Sequence, residues 1–518
     1  MALEGPSLET LAELAARYGL ELSREDLVFY GRLIEATLPS LRRLDQLPEP
    51  RPPVRYPRTP GWRPGPDENP LNAWYWRCSI EGAREGPLAG KRVAIKDSAC
   101  VAGVPMMNGA SWLEGTIPDV DATAVTRLLD AGAHVLGKAV CEHLCLSDSS
   151  YTSDTGPVLN PRDPTRSAGG SSSGSAALVV AGECDIALGG DQAGSIRTPA
   201  SFCGAYGLKP TYGLVPYTGV GSIERTVDHI GPMAASVGDL ALALEAIAGP
   251  DGLDPRQVDV RVDDYTGALE QGIGGLRIGV LEEGFGWRGA EQVVEDTVRA
   301  SAERLTELGA SVESVSVPMH RDSPHIWTGI YMEGNLVNQI RGNTQGIGAK
   351  GFYNTGLIDA FRRARRQGGG DFSVTVKFVV LLGEYLHEHY GGHYYAKARN
   401  LSTLLTRAYD DALAQYDVLV MPTTPMRAPP LPDPGASPED VFGQALEVYP
   451  AMCGFDVSGH PAINIPVGPV DGLPVGLMAI GPSFGDALLL RLARACEAGG
   501  IAMPVRAPAD SVTPSQAT

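Results

Sequence analysis

The sequence is poor in cysteine, in long apolar runs and in positive charge. Eight cysteines in 518 residues are too few for a disulfide-stabilised scaffold. No apolar run reaches the roughly 18 residues that a membrane-spanning helix needs. Lysine and arginine total 42 against 61 aspartates and glutamates, a net charge of −19. Such a chain repels phosphate backbones and anionic lipids, so we expect neither a nucleic acid nor a membrane as a partner.

The first residues also lack the features of an export signal. The segment "MALEGPSLETLAELAARYG" contains acidic side chains and no continuous apolar core. The sequence therefore predicts a cytoplasmic protein.

Glycine and proline are abundant, and strand patterns alternate with helix patterns along most of the chain. The 63 glycines and 41 prolines indicate many tight turns, and the alternation predicts an α/β protein whose sheet is covered by helices on both faces. Predicted strands lie at 91–97, 275–284, 311–318, 416–425, 461–468 and 473–482, and predicted helices at 290–310 and 486–500. Residues 122–140 and 175–191 are each predicted to form a helix, a glycine break and a strand, with the second of these strands at 185–188.

The composition changes along the chain and predicts four parts. An N-terminal helical arm has apolar residues at helical spacing over 7–20 and 24–45, followed by a proline-rich connector. A region rich in aromatics, His and Arg interrupts the strand–helix alternation and is predicted to be a small helical subdomain. The predicted parts are the arm and connector (1–70), the α/β core (71–318 and 411–505), the inserted subdomain (319–410) and a disordered tail (506–518).

Lys96 ends the apolar strand "VAIKD", at the edge where α/β sheets place their sites. Burial there would favour the neutral amine, which can act as a base. The alternative is a surface lysine that pairs with Asp97.

The segment "AGGSSSGSAA" (168–177) places several serines before a predicted helix. Its hydroxyls could simply cap that helix. Alternatively, Gly170 to Gly174 match the G-x-S-x-G pattern of an α/β-hydrolase nucleophile elbow, with Ser172 as nucleophile and His460 as the later histidine. An elbow requires a strand directly before the motif, whereas the preceding "NPRDPTRSAGG" is typical of a loop.

The segment "GGDQAGSIRTPA" follows a predicted strand directly and contains another serine, Ser195. The backbone amides of residues 192–195 could form a nest that binds a substrate oxyanion. Asp191 and Arg197 flank this loop with opposite charges and could lock it.

The Cys141, His143 and Cys145 cluster superficially resembles a metal site. Its spacing is not that of a zinc knuckle and no second pair of ligands lies nearby in the sequence, so we predict no metal and no cofactor.

The two glycine–serine segments together carry a resemblance to a known family. Residues 168–216, with "VAIKD" and "VAGVPMMNGA" (93–110), "GHPAINIPVG" and "LPVGLMAIGP", resemble the amidase signature family. The form "GGDQAGSIR", the helical arm and the length are most similar to bacterial enantioselective amidases, which are often associated with nitrile hydratases. The resemblance implies the amidase signature fold, with a mixed β-sheet core.

The resemblance also implies how the residues work. The family uses a Ser–cis-Ser–Lys triad, in which Ser195 matches the nucleophile, Ser171 the serine after a cis peptide bond, and Lys96 the base. It implies an oxyanion hole and substrate contacts at Gln192, Ala193, Gly194 and Ser195, supported by Gly170, Ser172, Asp191 and Arg197. The implied activity is hydrolysis of a carboxylic amide, or a related C–N acyl bond, to an acid and an amine or ammonia through an acyl-enzyme.

Three positions depart from the family pattern. Ala193 and Ser173 stand where glycine is usual, and Ser98 stands where asparagine is common. Alanine would be unfavourable at position 193 if the backbone there needed a positive φ. We therefore expect activity with an altered acyl pocket.

The sequence leaves the substrate and the assembly open. Leu146, Ile196 and residues near 325–333 and 446–457 could shape an apolar pocket for a small amide. An A-type component of a tRNA-dependent amidotransferase is an alternative within the same fold, and a non-catalytic relative is disfavoured because all three triad residues are present. The helical arm predicts a homodimer.

Overall fold

The computed structural model describes residues 3–368 and 371–506. Its chain divides into two compact units, residues 1–53 and 54–518. The two predicted helical segments of the arm lie in the first unit, while most of the predicted connector lies in the second. Residues 507–518, almost all of the predicted disordered tail, lie outside the described residues.

The first unit contains two helices, as the sequence predicts. Helix α1 spans Leu8–Arg17 and helix α2 spans Arg24–Leu44. Each begins at a serine, since Ser7 Oγ accepts the Thr10 N–H and Ser23 Oγ accepts the Asp26 N–H. The Asp26 carboxylate in turn accepts the Ser23 N–H, which completes a capping box.

The second unit is built around one mixed sheet of eleven strands in the order β1-β3-β2-β4-β6-β5-β10-β11-β9-β7-β8. Strand β2 runs parallel to β3 and β4, and β7 runs parallel to β8 and β9, while the remaining pairs are antiparallel. The strands are β1 Trp74–Glu81, β2 Arg92–Lys96, β3 His134–Ala139, β4 Ile186–Asp191, β5 Tyr206–Lys209, β6 His229–Ala234, β7 Arg277–Leu281, β8 Ser311–Val315, β9 Val418–Pro422, β10 Ala462–Val470 and β11 Leu473–Ile480.

Helices flank this sheet, which confirms the predicted α/β fold with a mixed sheet. The helices are α3 Thr123–Asp130, α4 Ser173–Val180, α5 Arg197–Cys203, α6 Val237–Ile247, α7 Gln292–Glu303, α8 Ser323–Asn335, α9 Thr355–Gly368, α10 Val374–Tyr390, α11 His393–Leu413, α12 Pro438–Ala445, α13 Gly454–Ser458 and α14 Asp486–Ala498. Within the described residues, none of the helices has the length and apolar character that crossing a membrane requires.

The predicted strands and helices are present, and three strands were missed. Strand β1 begins with three consecutive aromatic residues, Trp74–Trp76. Strands β5 and β6 are short and contain glycine. None of the three shows a clear alternation of apolar and polar residues. Residues 319–410 are mainly helical, as expected, with helices α8 to α11. They belong to the same compact unit as the sheet, and their status as a separate subdomain stays a prediction.

Parallel pairing brings two predicted site segments to one edge of the sheet. Ile95 of β2 lies opposite Leu188 of β4. Since the strands run in the same direction, Lys96 and Asp191 end neighbouring strands at the same edge. Strand β2 is buried from Val93 to Lys96, which rules out the alternative of a surface lysine.

A buried ion pair lies directly beside Lys96. Asp97 is fully buried, and its Oδ1 lies 2.8 Å from Nζ of Lys138 on β3, which is also buried. The other oxygen of Asp97 accepts the N–H groups of Met107 and Asn108. Asp97 therefore pairs with Lys138 rather than with Lys96, and it ties the loop after β2 to the sheet.

We expect Asp97→Asn to lower the free energy of unfolding by about 3–5 kcal/mol, because it leaves the Lys138 ammonium buried without a counter-ion. Urea unfolding of both proteins measures the change. The double variant Asp97→Asn/Lys138→Met removes that charge and should recover at least half of the loss. A double variant no more stable than Asp97→Asn would contradict this account.

Candidate active site

Lys96 and Ser171 form the central contact of the site. Nζ of Lys96 lies 2.8 Å from Oγ of Ser171 and 3.2 Å from the carbonyl oxygen of Gly190. Lys96 is 2% exposed and Ser171 is fully buried. The two side chains, 75 residues apart in sequence, are thus held within hydrogen-bond distance and away from water.

The peptide bond between Gly170 and Ser171 is cis, as the resemblance implies. The position of Gly170 requires glycine, because a Cβ atom there would lie 2.0 Å from the carbonyl oxygen of Ser149. Its N–H donates to the carbonyl oxygen of Asp148 at 2.7 Å. Backbone contacts with the loop 147–149 therefore fix the chain immediately before Ser171.

The other serines of this segment do not cap helix α4, so that expectation is wrong. Ser172, at the N-cap position, makes no side-chain capping bond. Instead its Oγ donates to Gly190 O at 3.1 Å and accepts the Gly190 N–H. Ser173 donates to Glu142 Oε1, and Ser175 donates to Leu188 O. These hydroxyls join the segment to β4 and to the loop after β3.

The nucleophile-elbow interpretation of Ser172 finds no support in these contacts. The Ser172 hydroxyl is fully buried and committed to Gly190. His460, its proposed partner, contacts Ser458 and the Asp410 carboxylate instead. Ser172 is a bracing residue between the serine segment and the end of β4.

The loop after β4 is locked by a buried ion cluster. Arg197 donates through Nε and Nη2 to both oxygens of Asp191 at 3.0 Å, and through Nη2 to Asp456 at 2.6 Å. All three side chains are fully buried. Burial acts to raise the pKa of Asp191, but the Arg197 guanidinium holds it well below its usual range. The predicted pairing of Asp191 with Arg197 is present, and Asp456 extends it.

Asp191 also organises the amides of the loop. Its Oδ1 accepts the Gly194 N–H at 2.6 Å, and its Oδ2 accepts the Ile196 N–H at 3.0 Å. Gly194 therefore cannot offer its amide to a substrate, contrary to the expectation for residues 192–195. The N–H groups of Gln192, Ala193 and Ser195 have no acceptor within residues 3–368 and 371–506.

Ala193 fits this loop without conformational strain. Its φ is not positive, whereas Gly194 has φ 129°. The substitution of alanine for the usual glycine therefore carries no backbone penalty here, and its methyl group lies at the cavity wall. The effect of Ala193 is on the shape of the cavity.

A cavity of about 230 Å³ opens at Ser195. Gln192 and Ala193 lie in its wall with Ser195, and most of the remaining wall is apolar and aromatic. Leu146 and the regions 325–333 and 446–457 contribute, as expected, whereas Ile196 does not line it and is buried in the core. The other lining residues are Cys145, Leu146, Ser147, Asp148, Trp327, Thr328, Tyr331, Met332, Thr375, Phe378, Val379, Phe442, Leu446 and Tyr449.

Trp327 connects the cavity wall to the loop. Its Nε1–H donates to the carbonyl oxygen of Gln192 at 2.8 Å. Its ring stacks on Tyr331 with centroids 4.1 Å apart and packs at a tilt on Tyr449 at 4.7 Å. The amide of Gln192 donates from Nε2 to Tyr217 Oη at 2.9 Å. Residue 192 is thus held at both its backbone and its side chain.

The side chains of Cys141, His143 and Cys145 all form hydrogen bonds with other residues. Cys141 and Cys145 both donate to Asn108 Oδ1, at 3.5 and 3.3 Å. The His143 ring contacts Asp154 and Trp112. These three residues brace the loop between β3 and the cavity.

Several residues of the site escape sequence reasoning. The roles of Asp148 and Asp456 and the bond from Trp327 to Gln192 O have no counterpart in the sequence patterns, since each of these residues resembles an ordinary loop or helix residue in its local sequence. No spacing signal marks them, because tertiary packing alone brings them to the site.

We expect Arg197→Lys to lower the free energy of unfolding by about 1–3 kcal/mol, although it keeps the charge. The Arg197 guanidinium donates to Asp191, Asp456 and Met452 O, and a single lysine ammonium cannot reach all three. Some of these buried acceptors therefore lose their donors. Urea unfolding measures the change. Arg299→Lys is the control, because Arg299 forms a similar forked pair with Glu282 at the surface and should lose much less. Equal losses of unfolding free energy in the two variants would contradict the structural role assigned to the Arg197 ion cluster.

The sequence of this chain is similar to those of known amidases and amidotransferase components. The amidase family model matches residues 68–490. An enantioselective amidase of Rhodococcus rhodochrous is 46% identical over 501 residues, which cover 95% of each chain. The glutamyl-tRNA(Gln) amidotransferase of Exiguobacterium sibiricum has an A-type component that is 39% identical over 427 residues, covering 81% of this chain and 86% of its own.

Two solved structures are also similar. The peptide amidase of Stenotrophomonas maltophilia superposes with a TM-score of 0.65 at 31% identity, covering 81% of this chain and 85% of its own. The A-type component of the glutamyl-tRNA(Gln) amidotransferase from Thermotoga maritima has a TM-score of 0.67 at 29% identity, covering 94% and 96%.

Proposed function

Because this chain belongs to the amidase signature family and is an amide-hydrolysing enzyme, we propose that Lys96, Ser171 and Ser195 carry its reaction. The family resemblance predicted from the sequence is thereby confirmed, and the triad is our inference. The observation that supports it most is the 2.8 Å contact between Lys96 Nζ and Ser171 Oγ beside the cavity that Ser195 lines.

In the proposed mechanism, a neutral Lys96 accepts the proton of Ser171, which accepts that of Ser195. Ser195 Oγ attacks the amide carbonyl carbon and forms a tetrahedral intermediate. The proton returns through the same two groups to the leaving nitrogen, and the C–N bond breaks to leave an acyl-enzyme. Water then repeats the sequence and releases the acid. Burial of Lys96 supports this role, since it keeps the Lys96–Ser171 contact away from bulk water.

The oxyanion hole in this proposal is formed by the loop after β4. The N–H groups of Gln192, Ala193 and Ser195 are the candidates, because the Gly194 N–H is already bound to Asp191. Fixed donors stabilise the developing oxyanion without having to reorganise. The Asp191–Arg197 ion pair and the Trp327 bond to Gln192 O hold this loop in place.

The cavity supports an apolar or aromatic acyl group. Its wall contains Trp327, Tyr331, Tyr449 and a Phe378–Phe442 edge-to-face pair with ring centroids 4.9 Å apart. None of the described residues that line it is a lysine, arginine or histidine. An acyl group with a carboxylate would therefore lose its hydration without gaining a counter-ion from the wall.

We expect the chain expressed alone to hydrolyse simple aryl and alkyl amides. Ser195→Ala, Ser171→Ala and Lys96→Ala should each lower kcat by about 10³-fold or more, because the three residues act as a unit. Ammonia release from a panel of amides measures this. Mass spectrometry with a slow ester substrate should place the acyl group on Ser195.

The matched control is Ser172→Ala, which removes a neighbouring buried hydroxyl outside the proposed triad. It should retain far more activity than Ser195→Ala while losing some stability. Full activity in Ser195→Ala would refute the triad. Loss of activity in Ser172→Ala alone would restore the elbow interpretation.

The A-type component of an amidotransferase is the second candidate, supported by relatives such as that of Exiguobacterium sibiricum. The Rhodococcus amidase is 46% identical to this chain, against 39% for the Exiguobacterium protein, which favours a self-sufficient amidase. Failure of the isolated chain to hydrolyse any amide of the panel, with activity restored by partner proteins, would favour this second candidate.

We expect the protein to be a homodimer in solution. Helices α1 and α2 leave large apolar side chains exposed, among them Tyr18, Phe29, Tyr30, Leu33 and Leu44, and such surfaces favour association. Light scattering should give twice the 54.6 kDa chain mass. Phe29→Asp with Leu33→Asp should yield monomers, whereas a wild-type monomer would contradict the expectation.

A further inference from the structure

Asp148 is a buried carboxylic acid in the wall of the cavity that Ser195 lines. Its backbone is fixed, because its N–H donates to Ala445 O at 2.8 Å and its carbonyl oxygen accepts the Gly170 N–H at 2.7 Å. Its Oδ2 accepts the Tyr449 N–H at 2.9 Å. The side chain therefore has a defined position between the cis peptide segment and the aromatic wall.

The other carboxyl oxygen is available. Oδ1 of Asp148 has no hydrogen-bond partner within residues 3–368 and 371–506. The residue as a whole is only 5% exposed. Because Asp148 lines the cavity, this oxygen can accept a hydrogen bond from a ligand that enters it.

The surroundings of Asp148 determine which ligand fits. Among the described residues of the cavity wall it is the single carboxyl group, and none of them is a lysine, arginine or histidine. Most of that wall is apolar, with Trp327 and Tyr449 among its aromatic residues. A wall with one carboxyl group and an aromatic lining suits a ligand with an apolar body and one positive group.

The protonation of Asp148 agrees with this arrangement. Burial raises the pKa of its carboxyl to about 8, with the Asp191 charge adding to the effect and Arg197 opposing it. Burial without a counter-ion therefore favours the neutral form of this carboxyl. A bound cation favours the ionised form and so replaces the missing counter-ion.

We propose that Asp148 binds an ammonium group on the substrate, so that the enzyme prefers amides whose apolar acyl part ends in a protonated amine. This inference rests on the proposed amidase function and specifies its substrate class. Asp148 acts in substrate binding, where its carboxyl group contacts the ammonium of a substrate whose amide lies at Ser195.

A matched pair of amides tests this inference. In 4-(aminomethyl)benzamide an ammonium replaces the terminal methyl group of 4-ethylbenzamide, and the two are otherwise similar in size. The wild-type enzyme should hydrolyse the ammonium compound with a kcat/KM at least tenfold higher. Asp148→Asn keeps the shape of the side chain, and should lower the ratio of the two kcat/KM values at least tenfold.

Thr328→Val is the control variant, because it changes another polar residue of the cavity wall without changing charge. It should leave the ratio of the two kcat/KM values within about twofold of the wild-type ratio. An unchanged ratio in Asp148→Asn, or a wild-type preference for 4-ethylbenzamide, would overturn the inference. If the wild-type enzyme preferred 4-acetylbenzamide, a neutral hydrogen-bond acceptor, to 4-(aminomethyl)benzamide, Asp148 would be donating a hydrogen bond from a neutral carboxyl group. That result would also overturn the inference.

A second measurement avoids any folding defect of the variant. Benzylammonium should inhibit wild-type hydrolysis of 4-ethylbenzamide competitively, with an inhibition constant at least tenfold lower than that of benzyl alcohol. Equal inhibition would refute an ammonium site while leaving the amidase function intact. Absence of hydrolysis of every amide tested would instead refute the proposed function.

Discussion

The ion cluster of Arg197 with Asp191 and Asp456 is the interaction on which the site depends. Asp191 ends strand β4, Arg197 begins helix α5, and Asp456 comes from helix α13. Full burial of these charges would be costly without their mutual pairing. Because Asp191 also accepts the N–H groups of Gly194 and Ile196, the same cluster sets the path of the loop that contains Ser195.

The second constraint is the parallel pairing of β2 with β4. It places Lys96 and the Ser195 loop at one edge of the sheet, and the serine segment before α4 closes the gap between them. Hydroxyls of that segment bind the backbone of β4 instead of capping the helix, which gives the segment a fixed position. Sheet topology and hydroxyl bracing thus act together to hold Lys96 near Ser171.

The sequence was most informative where chemistry is local. The strand that ends at Lys96, the glycine–serine segments and the pairing of Asp191 with Arg197 all follow from short stretches of residues. The amide of Gly194 and the serine contacts were mispredicted, because competing hydrogen bonds within the fold decide them. The roles of Asp148 and Asp456 and the bond from Trp327 to Gln192 O were missed, since they depend on contacts with elements more than a hundred residues away. Ile196 was expected at the pocket, but it is buried in the core.

The hydrogen bond from Trp327 to the backbone of Gln192 also limits how the cavity can change during evolution. Helix α8 supplies both the aromatic wall and the donor that fastens the loop at residue 192. A substitution that widens the wall at this tryptophan removes a support of the loop at the same time. A change at Trp327 that admits a larger substrate therefore also alters how firmly the loop holds Ser195 in position. Residues such as Phe378 and Phe442, which line the wall from α10 and α12, are free of that coupling and are the positions where specificity can diverge.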